Sequence, residues 1–306
     1  MVAPMTPKFV AELERGYVVH RLWEAPDQDA FLKKVGPNIK AMTTNGALGA
    51  SGSLIDALPN LEIIVCYGVG VDAIDLPLAR KRGIPVTTTP NVLTEDVADM
   101  ALALLLATAR QIVLGDHYVR TGQWATGEMA LTRRVNGKRI GIFGLGRVGK
   151  ALAKRLEALN MKISYTGRKE SDVPYMFYTK LVTMAADVDF LVVTTAGGEA
   201  TRKAVDRPVL EALGAKGILI NVSRGSIVDE EALVQVLKEG KLGGAGLDVF
   251  ATEPNVPQEL RSMPNVVLQP HHASGTIEAR SAMGDLLLQN LEAHFAGKPL
   301  LTPFKY

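Results

Sequence analysis

Arg139-Ile140-Gly141-Ile142-Phe143 runs directly into Gly144-Leu145-Gly146-Arg147-Val148-Gly149. The first five residues read as a buried strand, and Lys150 to Ala158 continue with helical periodicity. Three glycines at this spacing allow a tight turn, close approach of a pyrophosphate to the backbone, and close helix–strand packing. The unpaired N–H groups at the helix N-terminus suit phosphate oxygens. The stretch therefore predicts a dinucleotide-binding βαβ unit with residues 144–149 as its phosphate loop. A glycine-rich packing turn without a ligand is the plainer alternative, and the strand–turn–helix setting argues against it.

Outward from this loop, strands and helices alternate, which calls for parallel sheets with crossover helices. C-terminal to it, strands are expected at 162–165, 190–194, 217–222, 244–247 and 266–268. The intervening helices fall at 148–158, 181–186, 208–213, 230–239 and 277–296. N-terminal to it, strands are expected at 17–20, 39–43, 61–67 and 85–88, with helices at 27–35, 53–58 and 76–82. Thr94 to Val113 reads as one long helix, apolar nearly all round and so buried. Gly115 to Gly137 has no periodicity and reads as an extended excursion. The fold class is α/β, with one unit, a long linking helix and a second, larger unit.

Composition narrows the function classes. A chain of 306 residues suits two domains of about 100–200 residues each. A net charge of +2 gives no reason to expect nucleic acid or an anionic membrane as a partner. The most apolar stretch, Met100 to Ala109, is too short to cross a bilayer. The single cysteine, Cys66, lies in an apolar run and excludes an internal disulfide or a cysteine-rich metal site. With no leader-like N-terminus, a cytoplasmic location is expected.

The ribose of a bound NAD is held by an acid roughly 20 residues beyond the loop. Here the strand Lys162-Ile163-Ser164-Tyr165 ends in Thr166-Gly167-Arg168-Lys169, without a carboxylate at its tip. Arg168 can make charge-assisted bonds to a 2′-phosphate, with Lys169 beside it. NADP(H) is therefore expected in preference to NAD(H). Solvated turn residues are the alternative.

Three polar groups follow predicted strands: Arg224 after Asn221-Val222-Ser223, Glu253 after Leu247-Asp248-Val249-Phe250, and His271-His272 after Gln269-Pro270. Strand C-terminal ends are where doubly wound sheets bind ligands. A histidine delivers a proton near neutral pH, a carboxylate stabilises its charged form, and an arginine polarises a carbonyl. Those types suit reduction of a 2-keto acid by hydride transfer. No Ser-His-Asp arrangement, zinc-ligand cluster or Walker loop competes, and no metal is expected. His271 and His272 are adjacent, so both rings cannot face one site from extended backbone.

In order and spacing, Tyr67-Gly68-Val69-Gly70-Val71-Asp72, Asn221 to Asp229, Glu253-Pro254 and Pro270-His271 resemble the motifs of the D-isomer-specific 2-hydroxyacid dehydrogenase family. Residues 165–168 and 196–202 are most similar to its NADPH-dependent glyoxylate/hydroxypyruvate reductases. The resemblance implies two doubly wound parallel-sheet domains with an active-site cleft between them. A flavodoxin-like substrate-binding domain would cover 1–96 and 285–306, and a Rossmann domain 97–284. It implies Arg224 as the substrate arginine, His271 as acid/base and Glu253 as the group that orients it. Val69 and Gly70 would grip the substrate carboxylate. Thr195, Val222 and Ser223 would line the cofactor groove, and Asp248 would lie near the nicotinamide amide. A turn-capping Asp248 is the alternative. The family also implies a homodimer, built on the helix from Thr94 and the loop after it, with Trp124 as a substrate-selectivity residue. An apolar residue is more usual where His272 stands. NAD-linked relatives of the phosphoglycerate dehydrogenase type would want the missing ribose acid. A dinucleotide-sensing corepressor on the same fold would not need the Arg–Glu–His set.

Overall fold

The computed structural model describes residues 1–305, in two compact units: Met1–Leu93 with the chain from Gly275 onward, and Thr94–Ser274. In the first unit the elements run α1 (Pro7–Gly16), α2 (Gln28–Val35), β1 (Ala41–Asn45), α3 (Gly52–Asp56), β2 (Ile63–Tyr67), α4 (Leu76–Lys81) and β3 (Val86–Thr87). The three strands form one parallel sheet in the order β1-β2-β3. β2 is buried along its whole length, as an all-apolar strand of a covered parallel sheet should be. Asp27, Ser51 and Asp75 each cap a helix by accepting an N–H three residues on.

The second unit contains α5 (Thr94–Ala109), α6 (Ile112–Arg120), β4 (Arg139–Phe143), α7 (Arg147–Glu157), β5 (Lys162–Thr166), β6 (Met176–Tyr178) and α8 (Leu181–Asp187). It continues through β7 (Phe190–Val193), α9 (Arg207–Leu213), β8 (Ile218–Asn221), α10 (Glu230–Lys238), β9 (Gly244–Leu247), α11 (Gln258–Ser262) and β10 (Val266–Leu268). Its seven strands are all parallel, in the order β10-β9-β8-β7-β4-β5-β6. The direction of winding reverses at β4, so the loop after β4 opens at the switch point where such sheets bind ligands. β7 and the apolar residues of β8 are buried on both faces. Each such Val, Leu, Ile or Phe contributes about 1.5–3 kcal/mol.

The final helix, α12 (Ile277–Phe295), belongs to the first unit, where it packs on β2 and α1. A Cβ on Gly284 would stand 3.2 Å from Phe9 Cβ. The units therefore divide at 93/94 and 274/275, not at the expected 96/97 and 284/285. Helix α5 packs from its start in the second unit, and α12 lies wholly in the first.

Three further expectations fail. Tyr17–His20 is not a strand. Among the described residues its strand-like pairing is with Met1, which donates to His20 O at 2.7 Å and accepts from Leu22 N at 3.0 Å, too little for a ladder. The long helix from Thr94 breaks at Gln111 (φ +49°), and α5 and α6 are bent by 58°. Part of the supposed excursion is thus helical. Among the described residues no single helix is long and apolar enough to cross a membrane.

Candidate active site

The glycine loop follows β4 in a conformation that assigns each glycine a separate task. Gly144 has φ +101°, and a Cβ there would stand 2.5 Å from Thr195 Cα. A Cβ on Gly149 would stand 2.4 Å from Gly144 O. A Cβ on Gly146 would meet nothing within 4 Å, so the backbone there is open to an approaching group. Gly146 is also the N-cap of α7, whose first N–H groups have no side-chain cap. Thr194 Oγ1 donates to Gly144 O at 2.7 Å and Gly144 N–H donates to Thr166 O at 2.9 Å, which fixes the turn against β7 and β5. Two packed glycines and one open one, at a helix N-terminus, fit a dinucleotide pyrophosphate.

Beyond β5, Tyr165 closes the following turn through its hydroxyl, which accepts from Ser171 N–H at 2.8 Å and donates to Ser171 O at 3.1 Å. Between these anchors Gly167, Arg168 and Lys169 are exposed. Neither Arg168 nor Lys169 enters an ion pair among the described residues.

After β8 the chain turns through Val222, Ser223 and Arg224. Asn221, 1% exposed, accepts Ser223 N–H at 3.1 Å through Oδ1 and donates to Arg224 O at 2.9 Å through Nδ2. Ser223 Oγ donates to Thr195 O, and Arg224 Nη1 donates to Ser223 O at 2.7 Å. Gly225 is obligatory, since a Cβ would lie 1.9 Å from the Phe250 carbonyl carbon. The motif reading gives Asn221 no role of its own. Its signal was a lone amide ending an otherwise apolar strand.

Asp248 directly follows β9 and is fully buried. Its carboxylate accepts His272 N–H at 2.7 Å and Ala273 N–H at 3.0 Å. Burial pushes its carboxyl above the usual range, partly offset by those two bonds and the charge of His271. Glu253 Oε1 accepts Phe250 N–H at 3.0 Å and its Oε2 lies 2.7 Å from His271 Nδ1. Burial raises the Glu253 carboxyl, but the His271 and Phe250 bonds and the charges of His271 and Arg224 outweigh it, so it sits below its ordinary value. A carboxylate only accepts, so Nδ1 carries the proton and Nε2 is left for exchange with another molecule. The His271 side chain is 41% exposed, which keeps that exchange possible. The ring bonded to Glu253 is that of His271, not His272.

The second unit therefore gathers Arg224, Asp248, Glu253 and His271 at the C-terminal edge that also carries the glycine loop. Trp124 stands apart in a 3₁₀ turn, 68% exposed, and no described contact links it to them. Val69 and Gly70 lie in the first unit, in the turn after β2. There Gly68 adopts φ +144° and Cys66 Sγ donates to Gly70 O at 3.5 Å. Among the described residues no group of three or more His, Cys, Asp or Glu could hold a metal.

Residues 102–273 match the family model for the NAD-binding domain of D-isomer-specific 2-hydroxyacid dehydrogenases. The chain is 50% identical over 304 residues to glyoxylate/hydroxypyruvate reductase A of Arabidopsis thaliana, covering 99% of this chain and 97% of that one. It is 48% identical over 304 residues to hydroxyphenylpyruvate reductase of Plectranthus scutellarioides, with the same coverages. The crystal structure of the NADPH-dependent glyoxylate/hydroxypyruvate reductase of Sinorhizobium meliloti, in complex with NADP and malonate, superposes with a TM-score of 0.94. It is 43% identical and covers 99% of this chain and 95% of that one.

Proposed function

From the premise that this chain belongs to the D-isomer-specific 2-hydroxyacid dehydrogenase family, an oxidoreductase family, we propose that it uses NADPH to reduce a small 2-keto acid to the D-2-hydroxy acid. The observation that carries this reading is the 2.7 Å His271–Glu253 pair at the sheet edge that holds the glycine loop. Glyoxylate, hydroxypyruvate and hydroxyphenylpyruvate, the compounds in the names of the similar reductases, share a carbonyl next to a carboxylate, the core these residues would act on.

The nicotinamide cofactor, when bound, supplies the hydride. His271 donates a proton from Nε2 to the carbonyl oxygen, while Glu253 holds the imidazolium through Nδ1. Arg224 binds the substrate's carboxylate or keto oxygen and polarises the bond to be reduced. Main-chain N–H groups at Val69 and Gly70 take the substrate carboxylate. The loop Gly144-Leu145-Gly146-Arg147-Val148-Gly149 receives the pyrophosphate, and Thr195, Val222 and Ser223 line the cofactor groove. Arg168 and Lys169 hold the 2′-phosphate, each well-formed charged bond contributing roughly 1.5–3 kcal/mol. That corresponds to about tenfold or more in cofactor preference.

A cytoplasmic homodimer fits the same reading. The buried lone Cys66 supports a reducing compartment. Helix α5 buries most of its apolar residues within its own unit. Exposed Ile112, Val113 and Val119 of α6, with Trp124 and Leu131, are instead what a second copy would cover. Trp124 is retained as a candidate for substrate selectivity.

The test is kcat/KM for NADPH and NADH with glyoxylate, hydroxypyruvate and hydroxyphenylpyruvate. Turnover with NADPH favoured is expected. A clear NADH preference would refute the cofactor assignment, and no turnover with any of the three would refute the activity.

A further inference from the structure

We infer that Glu230 is a positioning residue for Glu253: its carboxylate pins the turn after β9 from which Glu253 reaches His271. The inference rests on the proposed keto-acid reduction for its rate readout.

Glu253 stands in a turn with little packing of its own. Ala251, Thr252 and Pro254 are exposed, and Glu253 is half-buried. The segment after β8 holds this turn. Gly225 lies against the Phe250–Ala251 peptide, where a Cβ would stand 1.9 Å from the Phe250 carbonyl oxygen and 2.4 Å from Ala251 N. Glu230, half-buried in the first turn of α10, accepts the N–H of that same peptide through Oε2 at 3.1 Å. A peptide unit is planar, so a contact at its carbonyl and a bond at its N–H together fix the whole plane. A carboxylate acceptor makes that bond stronger than a neutral one would. Phe250 N–H then donates to Glu253 Oε1 at 3.0 Å, which leaves Oε2 to meet His271 Nδ1 at 2.7 Å.

The base of this clamp is itself fixed. Val205 N–H donates to Ile227 O at 3.0 Å, and Val205 O accepts Asp229 N–H at 3.0 Å. Asp229 caps α10 and pairs with Lys203 at 3.2 Å. Glu230 thus reaches from a braced helix start onto an exposed turn. An acid in the first helical turn also complements the helix dipole, which is a purely structural role. The two roles separate by substitution. E230Q removes the charge but keeps an acceptor oxygen within reach of Ala251 N–H, whereas E230A removes both.

The experiment measures kcat for hydroxypyruvate at saturating NADPH, and the NADPH Kd by fluorescence, in E230A and E230Q. It then repeats E230A in an E253Q background. E230A should lower kcat about tenfold with Kd within about twofold of wild type, and E230Q should recover most of that loss. In the E253Q background E230A should cost less than about twofold, because both changes act through one group. An unaltered kcat in E230A, equal losses in E230A and E230Q, or a tenfold loss that persists beside E253Q would each overturn the inference. Nitrogen-15 NMR reads the same chain of contacts without substrate. The His271 Nδ1 proton should give a slowly exchanging downfield resonance in wild type and E230Q and should lose it in E230A. The same resonance in E230A would also overturn the inference. Wild type that binds NADPH but reduces no keto acid would defeat the functional reading alone, and this resonance would still decide the role of Glu230. If circular dichroism shows that E230A does not fold, E230D keeps the charge on a side chain one methylene shorter. A lower kcat at unchanged Kd would then support the role, and an unaltered kcat would overturn it.

Discussion

Two turns on the same edge of the seven-stranded sheet are built in opposite ways. The turn after β8 is locked: Asn221 ties Ser223 and Arg224 together, Ser223 bonds Thr195, and Gly225 lies against the Phe250 carbonyl. The turn after β5 is held only at its ends, through Tyr165, and leaves Arg168 and Lys169 in solvent. The first places Arg224, which in the proposed mechanism meets the reacting carbonyl, where an error of about 1 Å can cost on the order of a hundredfold in rate. The second is proposed to choose between cofactors, which long charged side chains can accomplish without a rigid frame. Change in the locked turn should therefore damage fold and chemistry together. Change in the open turn should move specificity alone.

The largest contrast is expected from Gly225→Ala. The added Cβ meets backbone atoms at 1.9 Å that no side-chain rotation relieves, so soluble folded protein should be lost or the Tm sharply lowered. Ala at Gly167, whose Cβ would meet nothing within 4 Å, should leave the Tm near wild type. Equal Tm values for the two variants would erase the distinction between the turns.

Next comes Arg224→Lys, which keeps the charge but loses the planar fork. Its kcat/KM for glyoxylate should fall by about 10²–10³, the loss typical of removing one donor to a developing oxyanion. NADPH affinity should change little. Retained activity would show that a point charge suffices there.

Glu253→Gln removes the charged partner of the imidazolium and should lower kcat by on the order of tenfold. It should also alter the pH dependence. The folded-state carboxyl of Glu253 lies below its ordinary value, so its contribution to stability is present above the unfolded value and lost as pH falls through the folded one. Wild type should therefore lose Tm more steeply than E253Q on acidification through the carboxylate range. Parallel curves would remove the ion pair from the description.

The smallest effect belongs to the open turn. Arg168→Ala should raise the NADPH KM about tenfold while NADH kinetics and the Tm stay nearly constant. A matching loss with NADH would mean that Arg168 serves the fold and not the phosphate.

Much of this edge was legible in the sequence because polar residues stood out where apolar strands ended. Arg224, Glu253 and His271 each follow such a strand, and the glycine spacing marked the loop after β4. The break between α5 and α6 was not legible. It occurs at Gln111, which enters the left-handed region without a glycine or proline to announce it. Tyr17–His20 has strand composition but lacks enough partner chain alongside it, and pairing is a tertiary fact that composition does not carry. β6 hides in Met176–Tyr178, three residues whose register is fixed by β5. The bonds of Asp248 were equally invisible, since they depend on a left-handed residue 23 positions later, at His271.

The decisive experiment is turnover of NADPH and hydroxypyruvate by wild type and His271→Ala, with NADPH affinity measured on both. The expected result is a kcat lower by about 10²–10⁴, the usual contribution of a positioned acid/base, at unchanged NADPH affinity. A variant that reduces the keto acid at the wild-type rate would contradict the assignment of proton transfer to His271, and with it the mechanism proposed for this protein.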